Sequence, residues 1–189
     1  GFENIALLNY LLSIGTSSNI TNEIRISSLL KLFNISQLSS SSPKFSIETL
    51  KILNQDILQK YDFADVKDKF SEIDIKNVDS DFWQFVKNNI GFFSETLEWK
   101  NIVVSNEPYN TEDKNFLKQA AELLPNEPYT VDSWDEWISS IKNQTGKKGK
   151  DLFMPLRRAL TGKDRGPELK YLLPLLSKDK IFQKFGIIT

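Results

Sequence analysis

The sequence predicts an all-α protein in two helical subdomains. Three observations carry this. Apolar residues recur at helical spacing along nearly the whole chain, no stretch alternates at strand period for long enough to build a sheet, and no internal repeat of solenoid length is evident. The 189 residues, 40% of them hydrophobic and including 13 Phe and 4 Trp, supply enough apolar surface for a core.

Taken in order, Ile5, Leu8, Leu12 and Leu7, Leu11, Ile14 predict a first helix with a broad apolar face, closed by Gly15 as C-cap. Ile24, Leu29, Leu30 and Phe33 predict a short second helix. A serine-rich loop over 37–43 follows. The third helix starts at Ser46 and turns Ile47, Leu50, Leu53, Ile57 and Leu58 inward. The chain becomes acidic beyond Tyr61, which sets a subdomain boundary between 61 and 62 and leaves a second part over 62–189. Helices are expected at 62–70, 79–90 and 94–101, with Ile102 to Val104 a helix end or loop. Thr111 is placed to cap a helix running to Leu124, and Pro125 and Pro128 enclose a turn. Thr130 or Ser133 caps the next helix, Ser133 with Glu136 fitting a capping box, and Val131, Trp134, Trp137, Ile138 and Ile141 repeat at core spacing. The tryptophans are therefore read as core rather than as base-stacking platforms.

Several function classes fall away. With no cysteine there are no disulfides and no thiolate metal sites, and with no histidine the commonest general base and metal ligand are missing. No glycine-rich phosphate loop or nucleophile elbow appears, so no catalytic residue, metal ligand or cofactor site is assigned. Acidic pairs such as Asp135-Glu136 suit helix N-terminal charge better than acid–base work. No apolar run is long enough to span a membrane, and no signal peptide is visible. The expected setting is cytoplasmic. A first residue other than Met points to a piece of a longer protein.

The net charge of −1 hides an asymmetry. Residues 142–165 hold eight basic and two acidic side chains, a net of +6, while the rest holds 16 basic and 23 acidic, a net of −7. A basic island on an acidic body points to an anionic partner met at one place. On charge alone, a solvated loop beside a charged helix is the commoner reading.

Within the island, Gly146 to Lys150 is flexible and cationic. From Asp151 to Gly162 the pattern is helical, with Leu152, Phe153, Leu156, Ala159 and Leu160 on one stripe. Arg158 points away, while Arg157, Lys150 and Thr161 share a flank. Pro155 either kinks this helix or marks its start, and Gly162 closes it. Gly166-Pro167-Glu168-Leu169 has the form of a helix N-terminus with proline at its first position. Free amides there would suit phosphate oxygens or base-edge acceptors, and arginine suits bidentate contact with unpaired bases.

The stretch from Thr145 to Leu169, TGKKGKDLFMPLRRALTGKDRGPEL, continued by Leu172 to Ser177, closely resembles the C-terminal signature of bacterial glutamyl-tRNA synthetases. Ala6 to Leu12 with Gly15 resembles the helix after the ATP-site signature loop of that family, and Pro43-Lys44-Phe45 with Leu50, Leu53 and Asn54 resembles its next helix. The middle, over 62–140, matches only in helical character. The resemblance implies a helical stem-contact segment over 1–61 followed by a helical anticodon-binding cage over 62–189. It makes Arg157 the base-contacting arginine, with Gly166, Pro167, Leu169 and Thr161 beside the anticodon. Lys147, Lys148, Lys150, Lys163 and Arg165 are then assigned, from charge, to the tRNA backbone.

The implied partner is glutamate tRNA, bound by a monomer. The implied parent attaches glutamate to tRNA with ATP and Mg²⁺ in a catalytic domain outside this sequence, so the chain alone is not expected to be an enzyme. It departs from the family in Thr16, where an aromatic residue is common, and in the serines at 39–42, where basic residues are common. No arginine lies between Arg25 and Arg157, and the helix that carries a tRNA-discriminating arginine in some members has Trp83 and Gln84. The expectation is a non-discriminating parent that charges both glutamate and glutamine tRNAs. The competing reading is a helical protein-interaction domain with an incidental basic patch. An independent carboxylate-pair hydrolase is a remote third.

Overall fold

The computed structural model describes residues 1–16, 19–40, 44–109 and 113–187. Among them are eleven α-helices, three short 3₁₀ turns and no strand. The helices are α1 (Asn4–Thr16), α2 (Ile26–Leu32), α3 (Ile47–Lys60), α4 (Phe63–Glu72), α5 (Ser80–Val86), α6 (Thr96–Val104), α7 (Lys114–Glu122), α8 (Val131–Thr145), α9 (Gly149–Thr161), α10 (Leu169–Leu172) and α11 (Lys178–Lys184). They form two compact units, one from residues 1–77 and 87–97, the other from 78–86 and 98 onward. Packing thus places α3 and α4, on either side of residue 61, in one unit.

In the first unit, α1 packs on α3. The face it buries differs from the apolar stripe expected. Ile5, Ala6, Asn9, Tyr10, Ser13 and Thr16 are buried, while Leu7, Leu8 and Leu11 are 39%, 40% and 46% exposed. Hydrogen bonding decides the orientation. Fully buried Asn9 donates its amide to the carbonyls of Ile5 (2.7 Å) and Glu23 (2.9 Å). It accepts from the Thr21 hydroxyl (2.7 Å) and the Glu23 amide (3.0 Å). Its four polar valences are all filled, so burial costs it little. Leu8 and Leu11, with Leu12, line an apolar groove of about 280 Å³ together with Ile26, Leu29, Leu30, Phe33 and Leu38. Gly15 lies inside α1 rather than capping it. Ser46 caps α3 as expected, accepting from the Thr49 amide, and Leu50, Leu53, Ile57 and Leu58 are buried. Ile47, expected inside, is 39% exposed. Fully buried Asn54 accepts from the Glu3 amide (2.6 Å) and donates to the Gly91 carbonyl (2.6 Å), joining the two sequence segments of this unit.

In the second unit, α8 and α10 pack together and α10 also meets α5. Trp83, Trp99, Trp134 and Trp137 are 2%, 6%, 8% and 0% exposed, as core spacing predicts. Trp137 donates its indole N–H to the Ala120 carbonyl (2.8 Å), so its polar edge is satisfied inside the core. The α8 capping box is Thr130 with Ser133 in place of Ser133 with Glu136, because the helix begins at Val131 and Ser133 is its third residue. Asp113 caps α7, accepting from the Phe116 amide (3.1 Å), and α7 ends at Glu122. Thr111 lies outside the described residues. Buried Lys184 on α11 donates to the Ile102 carbonyl (2.8 Å) near the C-terminal end of α6. Lys180 reaches the carbonyls of Val103 and Val104 beside it. The last carbonyls of α6 are thus capped by two ammonium groups, a favourable pairing with the negative end of the helix dipole.

Candidate nucleic-acid interface

The basic island is built around α9. The helix starts at Gly149, and Pro155 sits inside it, removing one amide without ending the helix. Gly162, at φ +68°, closes α9 and donates its amide to the Arg158 carbonyl (2.8 Å), as the sequence predicts. Leu152, Leu156, Ala159 and Leu160 are completely buried and hold the helix against the core. Phe153, expected with them, is 36% exposed.

Arg157 is half-buried on the flank. Its Nη1 donates to the Pro167 carbonyl (3.0 Å), and burial lowers the pKa of the guanidinium below its ordinary value. Arg157 lines a pocket of about 180 Å³ with Trp134, Phe153, Glu168, Leu169 and Lys170. The rings of Trp134 and Phe153 lie near-parallel, 6.4 Å apart at 26°, and the Lys142 ammonium stands 5.9 Å over the Phe153 ring. The site therefore offers a planar cation, two aromatic walls and a carboxylate in one concavity. That combination suits a flat heterocycle carrying donors and acceptors.

Thr161 is not on the surface. It is 2% exposed, its hydroxyl donates to the Arg157 carbonyl (2.7 Å) and it accepts from the Lys163 amide (3.2 Å). Gly166 and Pro167 belong to a loop, with Glu168 as N-cap and Leu169 as the first residue of α10. The expected helix start at Pro167 is thus two residues late. α10 has only four residues, so little helix dipole stands behind that start. Pro167 and Leu169 are buried.

The backbone-assigned cations divide in two. Lys147 pairs with Asp113 (2.8 Å) and lies 4.8 Å over the Phe116 ring; with the Phe116 amide, it holds the Asp113 carboxyl below its ordinary pKa. Lys163 pairs with Glu98 and sits 5.7 Å over the Trp99 ring. Lys148, Lys150 and Arg165 are exposed, and among the described residues none of them makes an ion pair within 4 Å. Arg158 pairs with Asp164 (2.6 Å), which depresses the Asp164 carboxyl.

Gln84 lies apart from Arg157's pocket. It is half-buried on α5 and lines a second pocket of about 290 Å³ with Asp81, Tyr129, Thr130 and Tyr171. The Tyr129 hydroxyl is buried with no hydrogen-bond partner among the described residues, and burial, with help from Glu127 and Asp179, pushes its pKa up to about 12.

The sequence reading missed two aromatic side chains behind the 162–167 loop. At Gly166, φ is +142° and a Cβ would lie 2.2 Å from Cη2 of Trp99. At Gly162 a Cβ would lie 2.6 Å from the Tyr109 ring. Two glycines four residues apart were the available signal, but nothing local names the partners.

Residues 81–185 match the family described as Anticodon binding domain, and the chain belongs to that family. Its curated relatives include glutamate–tRNA ligase 1 of Ehrlichia ruminantium (strain Gardel), 38% identical over 186 residues, which cover 97% of this chain and 41% of that protein. Glutamate–tRNA ligase 2 of Rickettsia canadensis is 39% identical over 188 residues, covering 97% and 42%. The chain thus spans about two-fifths of these relatives, in their C-terminal anticodon-binding region. Among solved structures, a glutamate tRNA ligase from Elizabethkingia meningosepticum has the same fold over 98% of this chain and 41% of its own, with TM-score 0.77 and 16% identity. The glutamate-tRNA synthetase of Elizabethkingia anophelis matches at TM-score 0.76 and 17% identity. These matches give the protein-interaction reading no support.

Proposed function

We propose that this chain reads the anticodon of a tRNA through the Arg157 pocket, within a longer glutamate–tRNA ligase. The observation that carries the reading is Arg157 itself. A half-buried guanidinium tied to one backbone carbonyl, in a pocket that Trp134 and Phe153 also line, is preorganised for a base. Gly166, Pro167 and Leu169 shape the floor, and Thr161 holds the backbone behind it. Lys148, Lys150 and Arg165 take tRNA phosphates, while Lys147 and Lys163 make a smaller contribution from within their ion pairs. Residues 1–61 contact the tRNA stem side and 62–189 the anticodon side.

Glutamate tRNA is the substrate we assign, bound in the cytoplasm by a monomer. In the longer protein, ATP and Mg²⁺ support attachment of glutamate. Among the described residues no three acidic side chains gather where a metal ion would bind. Also among the described residues, no helix is long and apolar enough to cross a membrane. We further propose that Gln84, standing where an arginine would discriminate, lets the parent charge both glutamate and glutamine tRNAs. A parent that charges glutamate tRNA alone at matched concentrations ends that idea.

Fluorescence anisotropy with glutamate tRNA and an anticodon-scrambled version tests the main reading. Base readout predicts that scrambling weakens salt-dependent binding about tenfold, or roughly 1.4 kcal/mol. Arg157→Ala should abolish that difference while thermal unfolding stays cooperative. Equal affinity of the unsubstituted chain for both tRNAs would reduce the island to a general phosphate patch.

A further inference from the structure

We infer that Trp99 is a positioning residue for anticodon reading: its ring, pressed against Gly166, sets the 162–167 loop so that the Pro167 carbonyl receives Arg157. This rests on the reading that Arg157 contacts a base. Trp99 is outside the resemblance that picked out the basic island, and it lines no part of the Arg157 pocket.

Arg157 has one hydrogen bond of its own to the loop, to the Pro167 carbonyl. Gly166 leads directly into the residue that bears this carbonyl, and its φ of +142° is open to glycine and strained for other residues. Three atoms of the Trp99 six-membered ring (Cη2, Cζ2 and Cζ3) lie 2.2, 2.8 and 3.2 Å from where a Gly166 Cβ would be. The ring therefore occupies the side-chain space of residue 166, and the loop can approach only as glycine. Trp99 is itself held: it is 6% exposed and meets Phe85 edge-on, with centroids 5.7 Å apart at 85°. Lys163 then closes the loop over the same ring, pairing with neighbouring Glu98. At the other end of the loop, the Tyr109 ring fills the corresponding space at Gly162, and Lys184 stands 5.2 Å over that ring. The loop is thus fixed at both glycines by aromatic side chains, and Arg157 inherits its aim from it. Without this backing, the guanidinium would have to be ordered when the tRNA binds, at an entropic cost.

Trp99→Phe is the test variant. It keeps an aromatic ring in the core but withdraws the six-membered ring from Gly166. We expect cooperative unfolding and unchanged helix content. The ratio of dissociation constants for scrambled and cognate anticodons should fall from about ten to about three or below, with the salt dependence of binding retained. A second readout needs no tRNA. Side-chain NMR of the Arg157 guanidinium in the unbound chain should show order in the parent sequence and its loss in Trp99→Phe. A folded Trp99→Phe variant that keeps full discrimination, or an Arg157 side chain equally ordered in both proteins, overturns the inference. Loss of Arg157 order in a chain whose unsubstituted form ignores the anticodon would uphold the mechanics and sink only the reading on which they rest.

Discussion

Removing the charge of Lys184 should change how stability depends on pH. Its ammonium is wholly inaccessible to solvent and donates to the Ile102 carbonyl, yet among the described residues no carboxylate pairs with it. Burial first, and the nearby Lys180 second, bring its pKa down from 10.5 to about 8. The folded state therefore releases this proton at lower pH than the unfolded chain. Where the unfolded state holds more protons, stability rises with pH, and here that window runs from about 8 to 10.5. Between pH 7.5 and 9.5 the gain comes to about 2 kcal/mol.

Urea unfolding of the parent sequence and Lys184→Met at both pH values measures it. Methionine keeps most of the side chain's packing and cannot titrate. The parent should gain on the variant by about 2 kcal/mol as pH rises. Tyr61 and Tyr129, whose pKa values are pushed up to about 12 chiefly by burial, pull stability the other way above pH 10, but equally in both proteins. Parallel pH profiles would refute the account of a buried, desolvated ammonium.

Two further outcomes follow from the geometry around α9. Gly162→Ala forces a methyl to within 2.6 Å of the Tyr109 ring at φ +68°, so thermal unfolding should report a loss of about 2–3 kcal/mol; a loss below about 0.5 would show that the ring yields freely. Changing Lys148, Lys150 and Arg165 together to Gln should lower the slope of log affinity for tRNA against log salt by about 2 to 3, whereas Lys147→Gln should lower it by less than about 0.5. An equal effect per residue from Lys147 would mean that its pairing with Asp113 opens on binding.

Legibility in the sequence tracked the distance of the deciding partner. The α8 core face was readable because Trp134, Trp137, Ile138 and Ile141 mark it within the helix itself. So was the end of α9, since an αL glycine after an apolar stripe is a local signal. The buried face of α1 was not, because Asn9 is held by Thr21 and Glu23, outside its helix, and a hydrophobicity wheel counts asparagine as surface. Arg157 and its loop stood out by resemblance, but the commitments of Lys147 and Lys163 depend on Asp113 and Glu98, 34 and 65 residues away. Phe153 was misplaced because its stripe position is apolar, yet its ring lines the Arg157 pocket and stays partly open to solvent.

The four bonds of Asn9 have a consequence for how this chain can vary. Aspartate would keep both acceptors, lose both donors and bury a charge. Glutamine adds a methylene that shifts the amide away from these partners, and serine, with a single hydroxyl, cannot serve all four. Asparagine thus meets all four partners at once as long as Thr21 and the 23 backbone stay where they are. A change of residue 9 that keeps every polar group paired therefore calls for a matching change in the segment around 21–23.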